Sequence, residues 1–163
     1  MVNSINKTSS QKKKDLIKLL IDNSKIVEII DNQDFNYDTP DYLINRNIFP
    51  FAKIDFTPKD AGTYIGIKIN YPRISKNITI KECVISFVII SHNNHNTVLT
   101  GEARTDLIAE EIINMFNHNH DLGFTVNLLS DIEDPLNETH YYRKLDFKTE
   151  ITNSLDNLYN NGV

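Results

Sequence analysis

Ile78-Thr79-Ile80-Lys81-Glu82-Cys83-Val84-Ile85-Ser86-Phe87-Val88-Ile89-Ile90 is an almost unbroken apolar run. Its centre is apolar at both odd and even positions, the pattern of a strand covered on both faces, so it predicts the central strand of a sheet. A polar loop over residues 91–100 comes next. From Thr105 to Asn117, Leu107, Ile108, Ile112, Met115 and Phe116 recur at helical spacing and predict an amphipathic helix facing that sheet. Thr105 is its expected N-cap, and Asp106, Glu110 and Glu111 lie early in it, where carboxylates suit the positive end of the helix dipole. Before the central run, Thr63 to Tyr71 alternates with Ile65, Ile67 and Ile69 on one face and predicts a second strand.

At the N-terminus, residues 1–10 are polar and are expected to form a mobile arm, with Ser9-Ser10 capping the first helix. Leu16, Ile17, Leu20 and Ile21 give that helix from Gln11 to Asn23, and Ile26, Val27, Ile29 and Ile30 give a shorter one from Lys25. The broad apolar stripe of this pair needs a sheet to lie on. Pro40, Pro50 and Pro58 predict a long irregular connection from Asp31 to Pro58. Phe35, Tyr37, Tyr42, Phe49, Phe51 and Phe56 predict that it packs down on the domain or is covered by a neighbouring subunit, because each ring left in water forfeits roughly 1.5 to 3 kcal/mol. Phe124 to Leu129 reads as a short strand and Ser130 to His140 as an acidic loop. Tyr141 to Thr152 reads as a closing strand with Leu145, Phe147, Thr149 and Ile151 alternating. The expected architecture is α+β: an antiparallel or mixed sheet of about four strands, covered by the N-terminal helix pair and one central amphipathic helix. Residues 11–153 form one domain in this reading, and 154–163 a polar tail.

The composition fits a single globular domain, with 40% hydrophobic and 24% charged residues over 163 positions. Seventeen basic against 22 acidic residues give a net charge of -5, which argues against wrapping duplex nucleic acid but permits DNA to pass an acidic wall. Lys12-Lys13-Lys14 with Lys18 is the one basic cluster, and it is expected to solvate the start of a helix. Cys83 has no second cysteine to pair with, so a disulfide framework and a thiolate metal site are both excluded for the monomer. It is expected to be a small buried hydrophobe. No apolar stretch approaches the roughly 20 residues of a spanning helix. The polar start Val2-Asn3-Ser4-Ile5-Asn6 lacks the apolar core of a signal peptide, so no membrane partner is expected and the chain is placed in the cytoplasm where it is made.

No catalytic, cofactor-binding or metal-binding residue is assigned. His92 and His95 invite a metal, with His118 and His120 as further ligands, but the helix between the two pairs is about 18 to 20 Å long and a straight helix cannot bring both to one ion. Asp106 and Glu110 stand four apart, with Arg104 able to pair with either and stiffen the entry to the helix. Asp146-Phe147-Lys148, downstream of Asp131, Glu133 and Asp134, is the nearest approach to the acidic residues and lysine of a Mg²⁺-dependent nuclease. In an alternating strand, however, the same two side chains simply face away from a buried Phe147. Ser86 lies in an apolar strand with no nearby His in sequence, and no Gly-x-Ser-x-Gly elbow exists.

Three segments carry a family resemblance: Lys14 to Ile30; Cys83 to His92 with Arg104 to Ile113; and Tyr141 to Lys148. Together they resemble the helix pair, strand, loop, helix and closing strand of the tail terminator or tail completion proteins in the neck of tailed bacteriophages. The resemblance implies a virion protein made in the host cytoplasm, forming a homo-oligomeric ring, commonly a hexamer. Such a ring stacks on the tail tube protein, stops its growth and meets the head connector or stopper protein, with DNA only in passage through its lumen. Arg104, Asp106, Glu110, Asp131, Glu133 and Asp134 are the expected interface residues, the last three also candidates for an acidic lumen. A head-to-tail connector is the alternative within the same class, and a small Mg²⁺-dependent nuclease the alternative from another.

Overall fold

A computed structural model of the chain describes residues 8–31, 39–52, 61–72, 80–118 and 125–152. The expected N-terminal arm before Thr8, the tail over 154–163 and Phe35, Tyr37, Phe56, His120 and Phe124 lie outside them.

The first helix, α1 (Ser9–Asp22), is capped by Thr8 and not by the expected serine pair. The Thr8 hydroxyl accepts from the Gln11 amide at 3.3 Å while the Gln11 side chain accepts from the Thr8 amide at 2.8 Å. That reciprocal pair needs a Gln or Glu three residues on, which selects Thr8. Asn23 then ends α1 and begins α2 (Ser24–Ile30), its side-chain oxygen accepting from the Lys25 and Ile26 amides. The helices bury Leu16, Ile17, Leu20, Ile21, Ile26, Val27 and Ile30, as their spacing predicts. The lysine run is less solvated than expected. Lys12 is buried with its ammonium over the Tyr71 ring, and Lys13 donates to the Pro50 carbonyl at 2.6 Å, leaving Lys14 and Lys18 exposed.

The connection after α2 holds more order than its prolines suggested. A 3-10 turn (Pro40–Leu43) precedes a two-residue strand, β1 (Ile48–Phe49), which pairs parallel with β2 (Thr63–Asn70) and brings the sheet to five strands. Leu43 and Ile48 are buried, and the buried Asn47 side chain donates to the Thr63 carbonyl at 2.9 Å. Phe49 rests near Phe51 and Tyr64, and Tyr42 and Phe49 are half-buried while Phe51 stays exposed, so the described rings pack down in part. Past β1 the backbone crosses β2 at Gly66. There a Cβ would come within 2.8 Å of the Phe51 carbonyl oxygen, so this close approach requires glycine.

The remaining strands are β3 (Ile80–His92), β4 (Asn127–Asn137) and β5 (His140–Thr152), and the sheet runs β1-β2-β3-β5-β4, antiparallel except at β1. The strand built from the apolar run is therefore central, as predicted. Cys83, Ile85, Phe87 and Ile89 face the helices and join the core, which continues through Ile65, Ile67, Leu145, Phe147 and Ile151. The other face of β3 presents Ser86, Val88 and Ile90 to a groove of roughly 270 Å³ edged by Ala52, Lys68, Leu136 and Lys144. Cys83 is buried as expected, and that burial pushes its thiol up against the opposing pull of Lys12 and Lys81.

The expected acidic loop over 130–140 is instead the greater part of β4. A register shift between Leu128 and Ser130 interrupts the alternation that would have revealed it, and the strand carries Pro135. A proline is tolerated at a sheet edge, where its missing N–H faces outward. Glu138 and Thr139 form the turn into β5. Between β3 and β4 lie a single helical turn, α3 (Asn93–Asn96), and α4 (Arg104–Phe116), which packs Ile108, Ala109, Ile112 and Phe116 against β3 and β5. Leu107 and Met115, expected to face inward, are half-buried.

Candidate functional site

The charged residues singled out in the sequence fall into two groups. Arg143 of β5 is the hub of the first. Its side chain donates to both oxygens of Asp131 on β4, at 2.8 and 2.7 Å, and to Asp106 on the first turn of α4 at 2.7 Å. Hydrogen bonding to Asp131 raises the guanidinium pKa, and burial opposes this without cancelling it. Two carboxylates 25 residues apart thus meet across one bidentate clamp, which fixes the helix to the sheet edge. Glu133 and Asp134 remain exposed along β4, and Glu110 is exposed on α4.

Arg104 belongs elsewhere. It pairs with neither Asp106 nor Glu110, contrary to expectation, but with Asp31 at the end of α2. Its guanidinium also donates to the Ile29 and His95 carbonyls at 2.6 and 2.7 Å. Half-buried and bonded to three acceptors within the chain, it acts here as a structural clamp. The N-cap expected at Thr105 is also corrected. The helix begins one residue earlier, and the Asn96 side chain accepts from the Thr105 amide at 3.2 Å, so the cap arrives from α3. The Thr105 hydroxyl is buried with no hydrogen-bond partner among the described residues.

The nuclease-like pair separates into two unrelated contacts. Asp146 accepts from Lys144 at 2.7 Å and from the Ser130 hydroxyl at 3.1 Å, while Lys148 pairs with Glu82 at 2.9 Å. Burial alone would raise the Asp146 pKa, but Lys144, Ser86 and Ser130 outweigh it and hold the carboxyl below its usual range. This carboxylate is already neutralised by a neighbour in its own strand. Among the described residues, no three His, Cys, Asp or Glu side chains converge in a way that would hold a metal ion.

The histidines also part company. His95 lies 3.3 Å from the Ile30 carbonyl, and His118 lies just past the Asn117 cap of α4 with φ +61°. His92 and His140 instead face each other as the last pair in the β3–β5 register, rings perpendicular and centroids 4.9 Å apart. His140 is only 2% exposed, its Nδ1 lies 2.8 Å from the Thr139 hydroxyl, and its Nε2 has no partner among the described residues. Burial lowers its pKa below 6.5, and His92 adds to the effect. The neutral ring is therefore the native form. Between the depressed folded value and the unfolded value of 6.5 the unfolded chain binds more protons, so this contribution is present above pH 6.5 and is lost as pH falls through the folded value. Urea midpoints measured from about pH 7.5 down to about pH 5.5 (roughly one unit either side of the imidazole value) should fall more steeply for the wild type than for His140→Phe. Parallel profiles would remove His140 as the cause.

The geometry joins an N-terminal helix pair, a five-stranded mixed sheet and the Arg143 clamp into one unit. The YomW family model matches residues 13–149, a span running from α1 almost to the end of β5. The chain belongs to the YomW family. YomW is a phage-derived gene name, which points to a phage protein. No curated protein and no solved structure matches the chain. The YomW match takes in Arg104, Arg143 and all their carboxylate partners, so both clamps lie within the family's span. Sequence reasoning missed Arg143 and His140 as organising residues. Their signal is cross-strand register, which one strand read alone does not carry.

Proposed function

We propose that this YomW-family chain is a structural protein of the phage neck: a tail terminator that assembles into an oligomeric ring, caps the tail tube and joins it to the head connector. The observation that carries the reading is the edge strand β4. It exposes Glu133, Asp134, Leu129 and Ile132 along a sheet edge, the kind of surface that a second chain covers. The resemblance of α1, α2, β3, α4 and β5 to neck proteins and the phage-derived family name support the same assignment. In this reading the protein is made in the host cytoplasm and resides in the virion, and DNA only passes through it.

The test is to add the purified chain to growing tail tubes and track length and end structure by electron microscopy. A terminator arrests growth and leaves a ring at one end. Binding to head connector rings with no effect on tube length would identify the connector alternative. Failure to bind either, together with Mg²⁺-dependent DNA cleavage lost in Asp146→Ala, would overturn the structural role in favour of the nuclease.

A further inference from the structure

The groove on the sheet face turned away from the helices has the form of a socket. Val88 and Ile90 of β3 make its floor, Ala52 walls it where the chain crosses β2 at Gly66, and Leu136 of β4 walls the other side. Its roughly 270 Å³ falls below the ~300 to 1,000 Å³ of a small-molecule site and suits a single aliphatic side chain. Two lysines stand at the rim. Lys144 is bound to Asp146, whereas Lys68 is exposed and makes no ion pair among the described residues. Lys68 lies opposite Ser86, one step along this face from the Val88 floor. Asp134, the other nearby carboxylate on this face, is opposite Tyr142 on β4, three strands from Lys68.

A projection of matching character stands on the connection between α3 and α4. Thr97 and Ala103 bridge, Val98 donates to the Glu102 carbonyl at 3.0 Å, and Gly101 donates to the Val98 carbonyl at 2.9 Å while taking φ +92°. The segment is therefore a closed hairpin and not a slack loop. Leu99 occupies its tip and is fully exposed, so its own chain gives that aliphatic side chain no cover. Turn positions favour Gly, Pro, Asn, Asp and Ser, and local geometry does not call for leucine there. With histidine neutral, the one formal charge from Ser91 to Ala103 is that of Glu102, exposed behind the tip, its carboxylate accepting from the Thr100 hydroxyl at 2.8 Å.

We infer that Leu99 of one copy inserts into the Val88–Ile90 groove of a second copy, with Glu102 of the first meeting Lys68 of the second. The occupant is another copy of this chain because each molecule carries both halves of the match: an uncovered aliphatic knob beside a carboxylate, and an apolar socket beside an unpaired ammonium. The hairpin belongs to the helix layer and the socket to the opposite face of the sheet. Knob and socket therefore engage different neighbours, and the contact repeats from copy to copy, closing into a ring or running on as a filament according to the rotation at each step. This docking rests on the self-association proposed above.

Substitutions at the exposed positions Leu99, Glu102 and Lys68 supply the test. Full-length Leu99→Ser, Glu102→Lys and Lys68→Glu proteins, with folding checked by circular dichroism, are compared with wild type by sedimentation. Wild type should assemble, and each variant alone should self-associate about 10-fold more weakly or worse, through the lost apolar burial in the first and like-charge opposition in the other two. An equimolar mixture of Glu102→Lys and Lys68→Glu should reassemble, because each knob then meets a socket of opposite sign. A misfolded protein would not be rescued in this way. Assembly that is lost in Leu99→Ser but untouched in Lys68→Glu would overturn the groove as the receptor. Variants that all assemble like wild type, or a mixture that stays dissociated, would overturn the docking and leave ring formation standing. A wild type that is monomeric at every concentration would also overturn it, and the tail-tube assay would then judge the neck assignment separately.

Discussion

Phe87→Ala is expected to destabilise the protein by about 3 to 5 kcal/mol, the range for deleting a fully packed aromatic ring from a core. Phe87 sits at the middle of β3, opposite Ile67 on one side and Leu145 on the other. Its ring stacks on Phe116 of α4 at 5.2 Å and meets Phe147 of β5 edge-on at 5.8 Å, so a single side chain touches helix and sheet at once. Truncation removes the apolar transfer term, the ring contacts and the support of two neighbouring rings that cannot collapse into the space without moving α4. Against a total stability of about 5 to 15 kcal/mol for a domain, such a loss consumes a large share. Chemical denaturation measures it directly, with Tyr141→Ala as a surface comparison expected to lie within about 0.5 kcal/mol of wild type. A Phe87→Ala loss below about 1 kcal/mol would contradict the packing of β3 against α4.

That central strand was legible in the sequence because burial on both faces leaves a continuous apolar run, and β2 and β5 were legible because their alternation is uninterrupted. Strand β4 was not. Its shift at Leu129 moves the later residues to the other face, and Pro135 and the carboxylates imitate a loop when no partner strand is in view. Local chemistry also misplaced two helix starts by one or two positions. In α1 the choice lay among three adjacent hydroxyl residues and was decided by Gln11. In α4 the capping group comes from Asn96, eight residues before the helix begins, which no adjacent-residue rule can supply. The charged candidates obey the same logic. Asp106 and Asp131 were recognisable as acidic positions, but their meeting depends on Arg143, and that depends on the β4–β5 register.

Arg104 shows how far a residue's role can lie from its sequence neighbours, and it carries the second large expected effect. Its side chain, 13% exposed, serves three acceptors on two segments: the Ile29 carbonyl near the end of α2, the Asp31 carboxylate just beyond it, and the His95 carbonyl of α3. Arg104→Ala withdraws all these donors while leaving the acceptors in place. Unmet acceptors in a half-buried setting are worse than a lost surface ion pair, so a loss of about 2 to 4 kcal/mol is expected. If charge alone mattered, Arg104→Lys would restore stability. It should not, because a single ammonium cannot present the planar fork that reaches these three acceptors at once. The expected result is therefore that lysine recovers less than half of the loss, with amide exchange accelerating at the end of α2 and the start of α4 in both variants. Near wild-type stability in Arg104→Lys would reduce the clamp to a simple charge pair. An alanine variant with undisturbed exchange at those two helix ends would show that α2, α3 and α4 are held together by apolar packing alone.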